Sequence, residues 1–213
     1  MTKLKPKKCK QCGKEFEPSR PLQPCCSSEC SYNYIIKLKE KKQAKEKREA
    51  EKKRKLELNE MREKLKTAND YRKELQLTIN TIVREIDRGC GCISSGRVSG
   101  QMQAGHFYSV GGWPALRFNL MNIWLQSATD NNYLSGNSIK YRLKMQEIGL
   151  IDFLDSLPTI YPELKLNATE LKEKAREAKL ILKSIPKLDR PRTFDERIEL
   201  RKQINNQLNI YTL

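Results

Sequence analysis

Residues Gln101 to Asn137 read QMQAGHFYSVGGWPALRFNLMNIWLQSATDNNYLSGN, and this stretch decides the fold of the region around it. Its flanks, Gln101 to Tyr108 and Phe118 to Gln126, mix β-branched, aromatic and apolar residues, with Val110-Gly111-Gly112-Trp113-Pro114 as punctuation between them. Two short strands around a loop are expected. Asn131 to Asn137 then opens a helix in which Ile139, Leu143 and Ile148 share an apolar face and Gly149 is the stop. Strand, loop, strand, helix is a ββα outline. Its first strand carries His106, the one histidine of the chain. Imidazole is the side chain best suited to take a proton from water near neutral pH, so a histidine set among glycines and asparagines is a candidate general base.

Upstream of this unit, residues 31 to 88 contain no glycine or proline, and Lys37 to Lys66 hold 14 Lys or Arg against 7 Asp or Glu. Helix-forming residues dominate, so one long helix over 32–88 is expected, roughly 80 Å in length. From Met61 onward Leu65, Ala68, Tyr71, Leu75, Ile79, Ile82, Val83 and Ile86 form an apolar stripe that must pack on something. The rest of that helix is a solvated face whose positive excess can follow a phosphate backbone, with Lys52, Lys53, Arg54 and Lys55 as its densest run.

The whole chain repeats this bias, with 42 Lys and Arg against 26 Asp and Glu among 213 residues and a formal net charge of +16. Such an excess points to a polyanionic partner, and nucleic acid is favoured because each neutralised phosphate releases condensed counterions. A membrane is excluded by the lack of any apolar run near the roughly 18 residues that a span requires. A soluble protein of the cell interior is expected, where thiols stay reduced, so the clustering of the seven cysteines argues for metal and against disulfides.

Five of those cysteines lie in CKQCGKEFEPSRPLQPCCSSEC, residues 9 to 30. Cys9 with Cys12 and Cys26 with Cys30 form two knuckles that would hold a structural Zn2+ tetrahedrally, leaving no position open for water. Cys25 is the alternative to Cys26. At the other end of the chain, Asn167-Ala168-Thr169-Glu170 and Thr193-Phe194-Asp195-Glu196 each have the form of a capping box, opening helices near 168–184 and 194–208. These C-terminal helices suggest packing or dimer contact. The chain therefore reads as α+β and mainly α: a zinc-knuckle module at 1–31, the long basic helix at 32–88, a ββα core at 89–150 and a helical extension at 151–213.

The run AGHFYSVGGWPALRFNLMNIW followed by NNYLSGN, preceded in order by the two cysteine pairs and the charged helix, resembles the NinG/Rap recombination proteins of lambdoid phages over roughly residues 7 to 150. That resemblance implies a treble-clef-like HNH-nuclease core and a phage- or prophage-encoded protein working in the bacterial cytoplasm. It implies a metal-dependent, structure-selective endonuclease acting on branched recombination intermediates, with DNA as partner alongside phage or host recombination proteins. A junction's symmetry makes a homodimer attractive. Carried over residue by residue, His106 is the general base, Asn122 the central asparagine that ties down the loop and aims the imidazole, and Asn131 or Asn132 the metal ligand at the helix start. Arg117 or Arg97 would contact a phosphate. The catalytic ion would be Mg2+ or Mn2+.

The pattern also has departures. Gln103 stands where the family carries an acidic or histidine residue, and Trp124 and Tyr133 replace histidines. Asp130 is the one acid from Gly89 to Lys144, which makes it the candidate for a displaced ligand of the catalytic ion, with helix N-capping as the other role open to it. By the same resemblance, the family's second zinc site maps onto Cys92, Ser95, Ser127 and Asp130, a set too poor in thiolates to hold zinc unless Cys90 and Asp130 rearrange into a weaker site. Trp113, Phe118, Trp124 and Leu134 are the expected substitute support. These losses leave a second function in view, a DNA-binding accessory protein that assists recombination without cutting.

Overall fold

The structure, a computed structural model, describes residues 5–211. The architecture is α+β and mainly α, with two compact units that divide at Leu65/Lys66. In the first unit strands β1 (Lys7–Lys8) and β2 (Glu15–Phe16) pair antiparallel ahead of helix α1 (Ser28–Leu65). Ser27 starts α1, its hydroxyl accepting from the Cys30 amide at 3.1 Å. No residue of α1 is buried.

The uninterrupted helix expected over 32–88 is two helices, α1 and then α2 (Ala68–Ile86). Thr67 stops the continuation without any glycine or proline. Its backbone is extended, its hydroxyl accepts from the Asp70 amide at 3.3 Å, and the Asp70 carboxylate accepts from the Thr67 amide at 2.8 Å. This reciprocal cap makes a new helix start more stable than one more turn of the old one. The apolar stripe consequently begins at Tyr71; Met61 and Leu65 lie on the far side of the break and are exposed.

In the second unit strands β3 (Met102–His106) and β4 (Ile123–Ser127) pair antiparallel, Met102 opposite Ser127 and His106 opposite Ile123. Both are shorter than expected, because the chain between them is taken up by tight turns at Pro114–Leu116 and Leu120–Asn122. Alternation gives this hairpin two faces. Ala104 and Ile123 join α2, α5 (Ala168–Ser184) and the C-terminal part of α6 (Phe194–Leu208) in one core. Trp124 faces the other way, into a core with α3 (Ser138–Glu147) and α4 (Ile151–Ile160).

Helix α3 buries Tyr141 and Met145; of the three residues read as its inner face, Ile148 packs against this core, whereas Ile139 and Leu143 are 75% and 59% exposed. Tyr141 wins that face because its ring meets Phe107 edge-on and its hydroxyl donates to the Gly105 carbonyl at 3.2 Å. Pro158, read as a break, lies inside α4. Both capping boxes of the C-terminal region form, at Asn167 and Thr193. No helix among the described residues is long and apolar enough to cross a membrane.

One buried ion pair joins these layers. Asp87, the C-cap of α2, accepts from Arg201 of α6 at 2.7 Å and from the Leu125 amide of β4 at 2.9 Å, and both ionic side chains are wholly buried. The Arg201 guanidinium also lies 3.8 Å from the Trp124 ring centroid. Arg201→Ala leaves the Asp87 charge buried without its main partner, at a cost of about 3–5 kcal/mol. The expected result is a fall of that size in urea-denaturation stability, with Asp87→Asn in the Arg201→Ala background recovering part of it.

Candidate functional site

The four cysteines that could hold a metal come from the β1–β2 turn, from the residues just ahead of α1 and from its first turn. The sulfurs of Cys9, Cys12, Cys26 and Cys30 all lie within 4.8 Å of one another, with Cys12 to Cys26 at 3.6 Å and Cys26 to Cys30 at 3.7 Å. Zn–S bonds of about 2.3 Å in a tetrahedron separate the sulfurs by about 3.8 Å, so the four could hold a zinc ion with little movement. Backbone amides, that of Cys12 foremost, lower the Cys9 thiol to about 5, while the hydrogen bonds with Cys12 and Cys30 push the Cys26 thiol up to about 12. Cys25 is outside this set: its side chain is fully buried, and burial raises its thiol. Gly13 takes the positive φ of 73° that the knuckle turn demands.

The four positions that the resemblance assigns to a second metal do meet at one point. Asp130 Oδ2 accepts from Cys92 Sγ at 3.2 Å, Ser95 Oγ at 2.6 Å and Ser127 Oγ at 2.5 Å, while Oδ1 accepts from Asn137 Nδ2 at 2.6 Å. Burial pushes the Asp130 carboxyl up, but the hydrogen bonds from Ser127, Ser95, Asn137 and Cys92 outweigh it and hold the group well below the usual carboxylate range. A carboxylate gathers these segments about itself, and the aromatic support expected in its place is only partial: Phe118 and Trp124 are buried, whereas Trp113 and Leu134 are exposed.

His106 stands at the opposite end of the hairpin. Its Nε2 lies 3.0 Å from the Arg117 carbonyl, which selects the tautomer with the proton on Nε2 and the lone pair on Nδ1. Burial, the largest influence, lowers its pKa, so the ring is neutral at pH 7. Asn122 is buried and ties the loop down: Oδ1 accepts from the Tyr108 amide at 2.8 Å, and Nδ2 donates to the carbonyls of Tyr108 at 3.0 Å and Leu116 at 3.2 Å. It therefore sets the loop that delivers the Arg117 carbonyl to His106. Gly105 is required just before the histidine, since a Cβ there would come 1.8 Å from the buried Gln126 side chain.

Of the two candidate arginines, Arg117 is the one beside His106. Arg97 lies near Thr129, at the Asp130 end of the hairpin. Lys52, Lys53, Arg54 and Lys55 are all exposed on α1. Asn132 is exposed, while Asn131 Nδ2 donates to Gln103 Oε1 at 2.7 Å. Gln103 and His106 are three residues apart on one strand and so project from opposite faces.

Asp130, on the far side of Ser127, is separated from His106 by the length of the strand, about 13 Å, with both oxygens engaged. Of the donors expected for Mg2+ or Mn2+, the Asn131 amide is bonded to Gln103, Asn132 is exposed and the Asp130 carboxylate is committed elsewhere. This set does not fit a hard divalent cation beside His106, and no step is derived through one. Sequence reasoning missed Gly105, and it missed Gln103 as the partner of Asn131; the pairing of an amide three residues before the histidine with an amide at the helix entrance was the available signal.

A family model described as "Bacteriophage Lambda NinG protein" matches residues 1–189. The chain belongs to the NinG family. It is 34% identical to Protein ninG of Escherichia phage lambda over 155 residues, 68% of this chain and 76% of that protein. With Protein ninG of Salmonella phage P22 it is 33% identical over 169 residues, 73% and 83% of the two chains, and with that of Enterobacteria phage H19B 35% identical over 153 residues, 68% and 76%. No solved structure matches it. This NinG protein is thereby related to phage recombination, and the match includes the cysteine knuckles, the hairpin and α5.

Two measurements test the metal assignments. Elemental analysis of this NinG protein should give about one zinc per chain, lost in Cys12→Ser, with Asp130→Asn still carrying it. Asp130→Asn should lower stability by roughly 2 kcal/mol at pH 7, since the serine hydroxyls lose their acceptor. Because the Asp130 carboxyl is held low, its contribution is complete above the unfolded value near pH 4 and is lost as pH falls from there toward the lower folded value. Wild type should consequently lose more stability than Asp130→Asn between about pH 5 and pH 2.

Proposed function

We propose that this NinG protein binds branched DNA during recombination, gripping phosphates along α1 and at the Arg117 end of an HNH-type ββα core. The observation that carries this reading is the run Lys52, Lys53, Arg54 and Lys55 on a helix with no buried side chain. Thirty-eight residues of helix extend about 57 Å, more than one turn of duplex DNA. Selectivity for branched DNA rests on the kinship with phage recombination proteins, and phage or host recombination proteins are the expected partners. A homodimer would match the symmetry of a four-way junction.

A second reading, hydrolysis of the junction, is favoured by His106. A neutral imidazole fixed through Nε2, with Nδ1 unengaged by other described residues, is poised to take a proton from water attacking phosphorus. Against it stands the Gln103–Asn131 pair where a carboxylate-bearing ion site would be needed.

The deciding experiment adds the full chain, with magnesium or manganese, to a labelled four-way junction and to a duplex of matching arms. Junction binding tighter than duplex binding, with no cleavage by wild type or His106→Ala, is the expected result. Cleavage that His106→Ala abolishes while binding persists establishes the hydrolytic reading instead. Equal affinity for junction and duplex overturns the selectivity. Replacing Lys52, Lys53, Arg54 and Lys55 by alanine should weaken binding to every DNA and reduce the salt slope by about 1 for each phosphate no longer neutralised.

A further inference from the structure

A cavity of about 250 Å³ opens beside Arg117, lined by Arg72 of α2, Arg117, Pro114, Phe118, Leu171 and the linker residues Leu164 and Leu166. It contains two cations and no acid. Neither guanidinium has a carboxylate or a hydrogen-bond acceptor among the described residues, whereas Arg142, Arg190 and Arg201 of the same unit each sit on a carboxylate. Both arginines are half-buried, so each has given up part of its hydration beside a cavity whose lining holds the other cation and no acid. That arrangement is unfavourable for the empty protein and becomes favourable when an anion enters between the two. Burial, and after it the charge of Arg72, lowers the Arg117 pKa, in keeping with two like charges sharing one cleft.

The backbone of Arg117 is already committed, since its carbonyl holds His106 Nε2. An anion on its side chain therefore lies one residue from the candidate base. The rest of the lining is apolar, with Phe118, Leu164, Leu166 and Leu171, and suits a sugar or an unstacked base better than a second phosphate. The outline is thus that of one nucleotide with its phosphate toward the arginines.

We infer that Arg72 and Arg117 form a two-guanidinium clamp for a DNA phosphodiester next to His106, with the adjoining sugar or base against the Leu164–Leu166 linker. This rests on the DNA-binding reading and deepens it. Arg72 is a binding residue that the ββα unit does not contain, and the C-terminal region becomes a wall of the site. Guanidinium suits the role because its planar fork can take two phosphate oxygens at once.

The test titrates the full chain against a fluorescent four-way junction at several NaCl concentrations, comparing wild type, Arg72→Gln, Arg117→Gln and Arg72→Lys. Each glutamine variant should lose about tenfold in affinity and about 1 from the salt slope. Arg72→Lys should keep the slope while losing part of the affinity, because it keeps the charge and loses the fork. The melting temperature should stay level or rise in the glutamine variants, which separates a weakened phosphate grip from a failure to fold. Wild-type affinity and slope in both glutamine variants overturn the clamp while leaving the DNA-binding reading intact. Failure of the wild type itself to bind junction or duplex overturns that reading and the clamp with it. The titration is repeated with junctions bearing 5′-hydroxyl and 5′-phosphate ends: equal losses support an internal phosphodiester, and a loss confined to the 5′-phosphate overturns that assignment.

Discussion

The pairing of Asp87 with Arg201 is the constraint on which the second unit depends. Two opposite charges with no access to water are tolerated only if every remaining hydrogen-bonding position is filled. Here the Leu125 amide completes the carboxylate, and carbonyls of Leu120, Ile123 and Arg197 complete the guanidinium. Because these groups come from the end of α2, from β4 and its approach, and from α6, the pair can form only when all three are in register. It fixes the strand that pairs with the histidine-bearing strand, and so the His106 end of the hairpin inherits its geometry from a contact on the other face.

From that frame the chain delivers two different kinds of polar junction to the two ends of one short hairpin. At one end a carboxylate collects a thiol, two hydroxyls and an amide. At the other, an asparagine clamps a loop and a carbonyl steers an imidazole. Their separation along the strand is the physical reason one acid cannot serve both. The histidine end is left with the cations Arg72 and Arg117 lining the neighbouring cavity and with no acid among that lining.

Much of this was legible in the residues. The spacing of Cys9, Cys12, Cys26 and Cys30 announced a tetrahedral set, and the capping boxes at Asn167 and Thr193 placed two helix starts correctly. The break at Thr67 was legible too, in Thr67-Ala-Asn-Asp70, but it was hidden by the absence of glycine and proline from an otherwise uniform helical composition. The inner face of α3 was not readable from periodicity alone, because Tyr141 outcompetes Ile139 and Leu143 through a ring contact and a hydrogen bond made far away in sequence. The Asp87–Arg201 pair spans 114 residues and leaves no local trace. The same holds for Arg72 and Arg117, which come together only when α2 packs beside the β3–β4 connection.

The carboxylate at the centre of the Cys92, Ser95, Ser127 and Asp130 cluster gives the two units unlike vulnerabilities. Where thiolates coordinate an ion, integrity is surrendered to chelators and to oxidants that attack sulfur. Where two hydroxyls and a buried thiol converge on an acid, a chelator has nothing to remove, and protonation of the central group undoes the assembly. Loss of a metal from four cysteines would thus leave the carboxylate-centred hairpin with its histidine standing.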